Sequence, residues 1–381
     1  MLVRPGMLII AGMALVAAGV LFLLQNSNQT APREAVSMVS SKDGTSRPDY
    51  KDYQFGRPDD PIVDAGFQPL SFPAGTVPTI MMHDRWLNKQ LADRGIKLEF
   101  HPFLDGNDAN GFLFSGKLEM LWAGDMPTIN AAARSAIVVT AQIKNAFTSV
   151  VASNLNTMEQ LKGHRIGYAH GSTAHQVLLH GLQLYHVDEK EVQLVRVPIN
   201  QLIGSFQKGT IDAFVAWEPV PTMAMGIIKD LTVLYRAMTQ SYLYFAKPFA
   251  EAHPDLVKVL TAANLRAVRW LSQRQENMRQ GCRWQATLVN DFVKEPYPVT
   301  VSQCVTIVQR DLLDPLPMTL ISMDNLKPGG VIEQQVQFLQ HVGALKTDSD
   351  PSRIPAAFNP AILQEIIRDQ VDWKIHEFDY R

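Results

Sequence analysis

The chain has 381 residues, of which 46% are hydrophobic and 19% are charged, so it can bury a sizeable core and is not a disordered protein. Its formal net charge is −2, and the absence of a long basic run argues against a nucleic-acid-binding protein. The two cysteines, Cys282 and Cys304, are too few for a cysteine-rich zinc site. They could form one disulfide in an oxidising compartment or remain two buried thiols.

An apolar segment without charges occupies residues 7–24 near the N-terminus. As a helix it would be about 27 Å long, just enough to cross a bilayer. No good signal-peptidase site follows and no cysteine is present for a lipid anchor, so an uncleaved transmembrane helix is preferred over a cleaved signal peptide. Arg4 precedes the segment, which mildly favours a cytoplasmic N-terminus. The polar residues that follow, to about residue 60, are typical of a flexible tether.

Strands and helices are then predicted in alternation along the chain. The apolar patterns predict a helix over 79–91, followed by strands over 98–103, 117–122 and 136–140. Further on they predict strands over 165–169, 192–197 and 211–216, with helices over 174–185 and 199–207 between them, and later helices over 254–274 and 361–370. Strands that alternate with helices through short loops predict a mainly parallel sheet covered on both faces.

The most informative stretch is 161–219, in which a short strand breaks at Gly171, Ser172 and Thr173 and a helix follows. Ser172 or Thr173 can cap this helix, and Thr173 has capping-box spacing to Gln176. The unpaired N–H groups and the dipole at a helix start favour an anion, so the stretch predicts an anion-binding site. A capped turn without a ligand is the alternative interpretation.

Several segments in this order resemble one family. They are Leu161-Lys162-Gly163, Gly171-Ser172-Thr173-Ala174-His175, Gly209-x-Ile211-Asp212-Ala213, Trp217-Glu218-Pro219 and, upstream, the segment from Gly116 to Pro127 that ends in Gly124-Asp125-Met126-Pro127. Together they resemble the nitrate, sulfonate and taurine group of ABC-transporter substrate-binding proteins, over roughly residues 67–271. The resemblance implies an α/β, two-lobed periplasmic-binding-protein-like fold of type II, with ligand held between the lobes.

The resemblance also implies a domain organisation. Residues 1–24 would be the anchor and 25–62 the tether. Residues 63–144 would form the first part of lobe 1, residues 145–238 would form lobe 2, and residues 239–381 would complete lobe 1 with C-terminal helices. The globular part would then be periplasmic or otherwise extracytoplasmic, held at the cytoplasmic membrane by residues 7–24.

Candidate ligand-binding residues follow from the same resemblance. Those for an anionic head group are Gly171, Ser172, Thr173, Ala174 and His175. Trp217 could wall the pocket or pack in the core, and Glu218 could bind a ligand amine or form a structural ion pair. From lobe 1 the candidates are Gly75, Thr76, Gly124, Asp125 and Met126. The loop at 73–78 contains no glutamine, which departs from the family pattern, and Asp125 would repel an anion and so cap a helix or meet a cationic group.

Other kinds of site are not predicted. His170, His175 and His180 are spaced by five residues, which does not place them on one helix face, so we expect no metal site. No nucleophile elbow and no glycine-rich phosphate cradle is present, so we expect neither catalysis nor a cofactor.

The leading hypothesis is a binding protein that delivers a small organic anion, such as a sulfonate or taurine, to ABC permease and ATPase subunits. Nitrate or a thiamine-pyrimidine precursor is an alternative ligand. A membrane-tethered sensor or accessory receptor without a transport role is an alternative function. An enzyme on the same fold, such as a pyrimidine synthase, is disfavoured because the two cysteines are isolated in the sequence and an anchor would separate the protein from cytosolic substrates.

Overall fold

The computed structural model describes residues 50–56, 61–294, 297–312, 323–345 and 350–381. The predicted transmembrane helix at 7–24 and most of the predicted tether lie outside the described residues. Within the described part of the chain, no helix combines the length and the apolar character needed to cross a bilayer.

Eight strands form a sheet with the order β2-β1-β3-β8-β4-β7-β5-β6. The strands are β1 (Ile62–Phe67), β2 (Lys97–Pro102), β3 (Met120–Gly124), β4 (Ile137–Ser153), β5 (Arg165–Tyr168), β6 (Gln193–Arg196), β7 (Ala213–Trp217) and β8 (Leu231–Ala246). The two longest, β4 and β8, have 17 and 16 residues and pair with each other in antiparallel orientation along most of their length.

The helices lie between and after these strands. They are α1 (Thr76–Met81), α2 (Arg85–Ala92), α3 (Gly106–Phe114), α4 (Asp125–Ala133), α5 (Thr173–Leu184), α6 (Leu202–Gln207), α7 (Val220–Ile227), α8 (Lys247–Ala252), α9 (Pro254–Gln273), α10 (Gln275–Val293), α11 (Val301–Asp311), α12 (Val331–His341), α13 (Ile354–Ala357) and α14 (Pro360–Arg368).

The strands divide into two lobes that share the long pair. In the first lobe β1, β2 and β3 are parallel, and β3 pairs with the C-terminal half of β8. In the second lobe β5, β6 and β7 are parallel, and β7 pairs with the C-terminal half of β4. Both lobes therefore have the same strand arrangement, and β4 and β8 are the crossing strands between them. The two-lobed α/β architecture predicted from the resemblance is confirmed.

Two predicted elements differ from the structure. The strand predicted over 136–140 extends to Ser153, because the polar residues Gln142 and Lys144, which interrupt the apolar run, are themselves buried in the sheet. The helix predicted over 79–91 is instead two helices. Asp84 stands between them and caps α2 by accepting a hydrogen bond from the Trp86 amide at 3.0 Å, so the chain changes direction there.

The C-terminal helices contact both lobes. Cys282 of α10 and Cys304 of α11 are joined by a disulfide, and both pack in the hydrophobic cluster that fills the second lobe. On the other side, α12 places Gln335 against Asp125 of α4 and the Phe338 ring against the His175 ring of α5. The segment after the crossing strands therefore packs against the second lobe as well as the first.

Candidate functional site

A cleft lies between the lobes, over the crossing strands. The residues lining it are Gln68, Ser71, Asp105, Gly106, Asn107, Gly124, Pro127, Lys144, Thr148, Ser172, Thr173, Trp217, Thr239, Gln240 and Ser241. In this conformation the cleft has a cavity volume of about 20 Å³. That is about the space of one water molecule, so a larger ligand enters only if the lobes move apart.

The floor of the cleft contains a buried cation. Lys144 on β4 is 3% exposed, and Ser241 is its register partner on β8. The Lys144 ammonium donates hydrogen bonds to the Ser71 hydroxyl at 3.3 Å and to the Phe72 carbonyl at 3.4 Å. Burial lowers the pKa of Lys144 from 10.5 to about 8, although neighbouring acidic side chains oppose this shift. Lys144 is therefore mostly charged at neutral pH.

Ser241 has an unused hydroxyl beside this cation. It is 1% exposed, and its Oγ atom has no hydrogen-bond partner within the described part of the chain. Buried hydroxyl groups are normally hydrogen-bonded, because desolvation without a partner is costly. Lys144, Ser71 and Ser241 together can bind one anionic group.

The first turn of α5 forms another wall of the cleft. Ser172 is its N-cap: the Ser172 hydroxyl accepts a hydrogen bond from the His175 amide at 3.4 Å and donates one to the Ala169 carbonyl at 2.7 Å. The alternative cap at Thr173, with a capping box to Gln176, is not formed. Instead the Thr173 hydroxyl donates to the Asp125 carboxylate of the other lobe at 2.5 Å.

Asp125 links the two lobes. It is the first residue of α4 and is 1% exposed. One carboxylate oxygen accepts from Thr173 and from the Met126 amide at 2.9 Å, and the other accepts from Gln335 at 3.1 Å and the Gln240 amide at 3.4 Å. Burial raises the pKa of Asp125, and the bond from Thr173 opposes this. A carboxylate of the protein itself thus lies beside the helix start at which the sequence predicts an anion.

Gly124 allows this contact between the lobes. A Cβ atom at this position would lie 2.8 Å from the Thr173 Oγ1 atom, which is too close for a side chain without a shift of the backbone or of Thr173. The glycine in the Gly-Asp-Met-Pro segment therefore has a packing reason: α4 and α5 begin almost in contact.

Of the residues predicted from the sequence, Gly124, Ser172, Thr173 and Trp217 line the cleft. The Trp217 indole N–H donates to the Leu70 carbonyl at 3.2 Å, and the residue both lines the cleft and packs in the hydrophobic cluster of the second lobe. Met126 and Ala174 instead lie in the hydrophobic clusters of their lobes. Gly171 turns the chain with a φ of 69° just before the N-cap.

The remaining predicted residues are engaged elsewhere. Thr76 is hydrogen-bonded to Gln285, and Gly75 packs against the backbone of Gln68, which lines the cleft itself. His175 accepts a hydrogen bond from the Gly171 amide at 3.2 Å on its Nδ1 atom. Burial, assisted by the nearby His170, lowers the pKa of His175 to about 3. The ring is therefore uncharged and does not supply a positive charge to an anionic ligand.

Glu218 forms the structural ion pair that the sequence left as one of two possibilities. Its carboxylate lies 2.9 Å from the Arg310 guanidinium, and Arg310 also binds Asp311 at 2.5 Å. Glu218 is 3% exposed and is not among the residues that line the cleft.

The sequence analysis missed the residues on the crossing strands, above all Lys144 and Ser241. Lys144 was the available signal, because it is the one charged residue of the predominantly apolar segment 137–153, and charged side chains are almost never fully buried unless they have a partner. Ser241 gives no signal in sequence, since its significance is the lack of a partner in the fold. Among the described residues, no group of three or more His, Cys, Asp or Glu side chains could hold a metal ion.

Comparison with known proteins identifies relatives in sequence and in fold. Residues 91–278 match the family model described as NMT1/THI5 like. The chain is 27% identical over 194 residues to a putative aliphatic sulfonates-binding protein of Escherichia coli, a match that covers 48% of this chain and 60% of that one. A putative aliphatic sulfonates-binding protein of Bacillus subtilis is 25% identical over 201 residues, with 49% of this chain and 59% of the other covered. The chain thus spans less than two thirds of the length of both relatives.

The fold is shared with a solved structure of the alkanesulfonate-binding protein SsuA from Xanthomonas axonopodis pv. citri bound to MOPS. The TM-score is 0.62 at 17% identity, with 79% of this chain and 98% of the other covered. At this identity the likeness establishes the fold alone.

Proposed function

We propose that this chain, a relative in sequence and fold of the substrate-binding proteins of nitrate, sulfonate and taurine transporters, captures a small organic anion of the sulfonate type between its lobes. The observation that carries the proposal is Lys144, a buried cation on the floor of the cleft beside the unused Ser241 hydroxyl. A positive charge retained in a desolvated cleft is suited to an anionic ligand, because its attraction is weakly screened there.

The lining of the cleft supports the binding of an organic anion. Lys144, Ser71 and Ser241 can surround one anionic group, and Trp217 supplies an apolar wall for a short organic chain. Closure of the lobes would bury the ligand, as in other two-lobed binding proteins, and delivery to ABC permease and ATPase subunits would follow. Ser172, Thr173 and Gly124 are proposed as further contacts from the two lobes.

We further propose an extracytoplasmic location, with residues 7–24 as an uncleaved anchor. The support is the apolar composition of that segment. The Tyr50 hydroxyl accepts from the Leu104 amide and donates to Asp108, both at 3.0 Å, so residues 50–56, which were predicted to belong to the flexible tether, are docked on the first lobe. Membrane fractionation with N-terminal sequencing of the mature protein tests this: a protein cleaved after residue 24 and released from membranes would contradict it.

The binding proposal is tested by thermal melting of the purified full-length chain with ethanesulfonate, taurine, nitrate, bicarbonate and an aminopyrimidine. A ligand that binds only the folded state adds about 2.7 kcal/mol at 100 times its Kd, which gives a clear shift. We expect stabilisation by the sulfonates. Stabilisation by nitrate or the aminopyrimidine alone would show that the ligand is not a sulfonate. An unchanged melting temperature with every anion would refute the proposal.

A further inference from the structure

The hydroxyl groups of the cleft differ in whether their single proton is still available. The Ser172 hydroxyl donates its proton to the Ala169 carbonyl at 2.7 Å, and the Thr173 hydroxyl donates to Asp125 at 2.5 Å. Because a hydroxyl has one proton and two lone pairs, both groups can only accept a further hydrogen bond.

The same accounting applies to Thr148 and Thr239 on the crossing strands. Thr239 donates to the Ala146 carbonyl at 3.0 Å, and its Oγ1 atom lies 3.1 Å from that of Thr148. The proton between the two threonines must therefore come from Thr148. Thr148, like Ser172 and Thr173, offers only an acceptor to a ligand in the cleft.

The donors are concentrated elsewhere in the cleft. Lys144 has only donors, the Ser71 hydroxyl accepts from Lys144 and keeps its proton, and Ser241 has no partner in the described part of the chain. Among the hydroxyl groups of the cleft, the donors thus lie beside Lys144 and the acceptors lie at the start of α5 and at Thr148. A plain anion pairs with the donors beside Lys144 and leaves the free lone pairs of the Thr148 and Thr173 hydroxyls without a donor.

We propose that Asp125 is a specificity-determining residue that acts through Thr173. By taking the Thr173 proton, Asp125 keeps this hydroxyl an acceptor, so the closed cleft favours an anion that carries its own N–H or O–H donor over the same anion without one. Asp125 is a positioning residue here, because it orients the Thr173 hydroxyl. The inference rests on the proposed function, since it assumes that an organic anion occupies the cleft.

The test compares three ligands that share one anionic group: ethanesulfonate, 2-hydroxyethanesulfonate and 2-aminoethanesulfonate. Their Kd values for the full-length protein are measured by titration calorimetry at one pH and ionic strength. We expect the two ligands with a donor to bind at least tenfold more tightly than ethanesulfonate. Sites built to hydrogen-bond a ligand group discriminate strongly against an analogue that lacks it.

Variants then identify the residue responsible. Thr173→Val removes the hydroxyl at nearly constant volume, and Asp125→Asn weakens its orientation; both should reduce the preference to within about threefold while ethanesulfonate still binds. Thr173→Ser keeps the hydroxyl and should keep the preference, which serves as the matched control for folding. A structural defect would weaken all three ligands together and would not change their ratio.

Three results would overturn the inference, and those that leave the proposed function intact are distinguishable from the one that does not. Equal binding of the three ligands by the unaltered protein, or an unchanged preference in both Thr173→Val and Asp125→Asn, would refute the role of Asp125 and leave sulfonate capture intact. Failure of all three sulfonates to bind the unaltered protein would refute the proposed function and this inference with it.

Discussion

Replacement of Lys144 by methionine should separate ligand binding from stability. Methionine keeps most of the side-chain volume and removes the charge. Two unit charges 4 Å apart attract by about 4 kcal/mol at an effective dielectric constant of 20. Part of this is offset by desolvation of the ligand, so we expect Lys144→Met to cost about 2–3 kcal/mol of binding free energy, a loss of roughly 30- to 150-fold in affinity.

The stability of the folded protein should move in the other direction. The pKa of Lys144 is lowered to about 8 in the folded state, so folding disfavours its charged form at neutral pH. Because this pKa lies below the 10.5 of a free lysine, the charged form destabilises the fold by roughly 3 kcal/mol below pH 8, and this cost disappears as the pH rises toward 10.5. Lys144→Met removes this cost and loses the bonds to Ser71 and Phe72. The free energy of unfolding should therefore be unchanged or increased.

Calorimetric titration with the best sulfonate and urea unfolding at pH 7 measure the two quantities. Lys144→Gln, which keeps a hydrogen-bond donor without the charge, is the matched control and should also bind weakly. If Lys144→Met bound the anion within threefold of the unaltered protein, the ligand's charge would not lie at Lys144 and the electrostatic reasoning would be wrong.

Three further results are expected. Anion affinity should be constant well below the Lys144 pKa of about 8 and should fall about tenfold between pH 7 and pH 9, because the ammonium loses its proton. Calorimetric titration across that pH range measures this, and an affinity independent of pH would contradict it. Ser241→Ala should weaken anion binding about three- to tenfold. The melting temperature of the unliganded protein should be unchanged or raised, because the buried Ser241 hydroxyl has no partner among the described residues. The double variant Cys282→Ser, Cys304→Ser removes a disulfide between residues 22 apart in sequence. It should lower the free energy of unfolding, measured in urea, by about 3 kcal/mol and retain ligand affinity. Unchanged stability under oxidising conditions would show that the bond does not form in solution.

The outer parts of both lobes could be predicted from the sequence because their signals are local. The strand at Arg165–Tyr168, the turn at Gly171 and the helix at Thr173–Leu184 follow from apolar spacing and capping residues within about twenty positions. The choice of Ser172 over Thr173 as N-cap was not decidable in this way. In the structure the Thr173 hydroxyl donates a hydrogen bond to Asp125, a residue 48 positions earlier, and does not cap the helix.

The floor of the cleft could not be predicted for the same reason. Lys144 and Ser241 are distant in sequence and become neighbours through the register of two antiparallel strands. Strand register is set by pairing along the whole crossing segment, including the irregularity between Gln142 and Lys144. Polar residues within β4 also concealed its length, since a pattern-based prediction ends a buried strand at the first such residue.

The position of Lys144 and Ser241 on the crossing strands has a kinetic consequence. A contact made by Lys144 and Ser241 moves with the first lobe, whose strand β3 pairs with β8 at Ser241, and it therefore exists equally in an open and a closed protein. Capture of the ligand's charge would then precede closure and govern the association rate, which should fall with added salt. The contacts at Thr173 and Trp217 form only when the lobes meet, so they would govern how long the ligand stays. Recognition of charge and recognition of ligand type would thus be successive events, with separate rate constants.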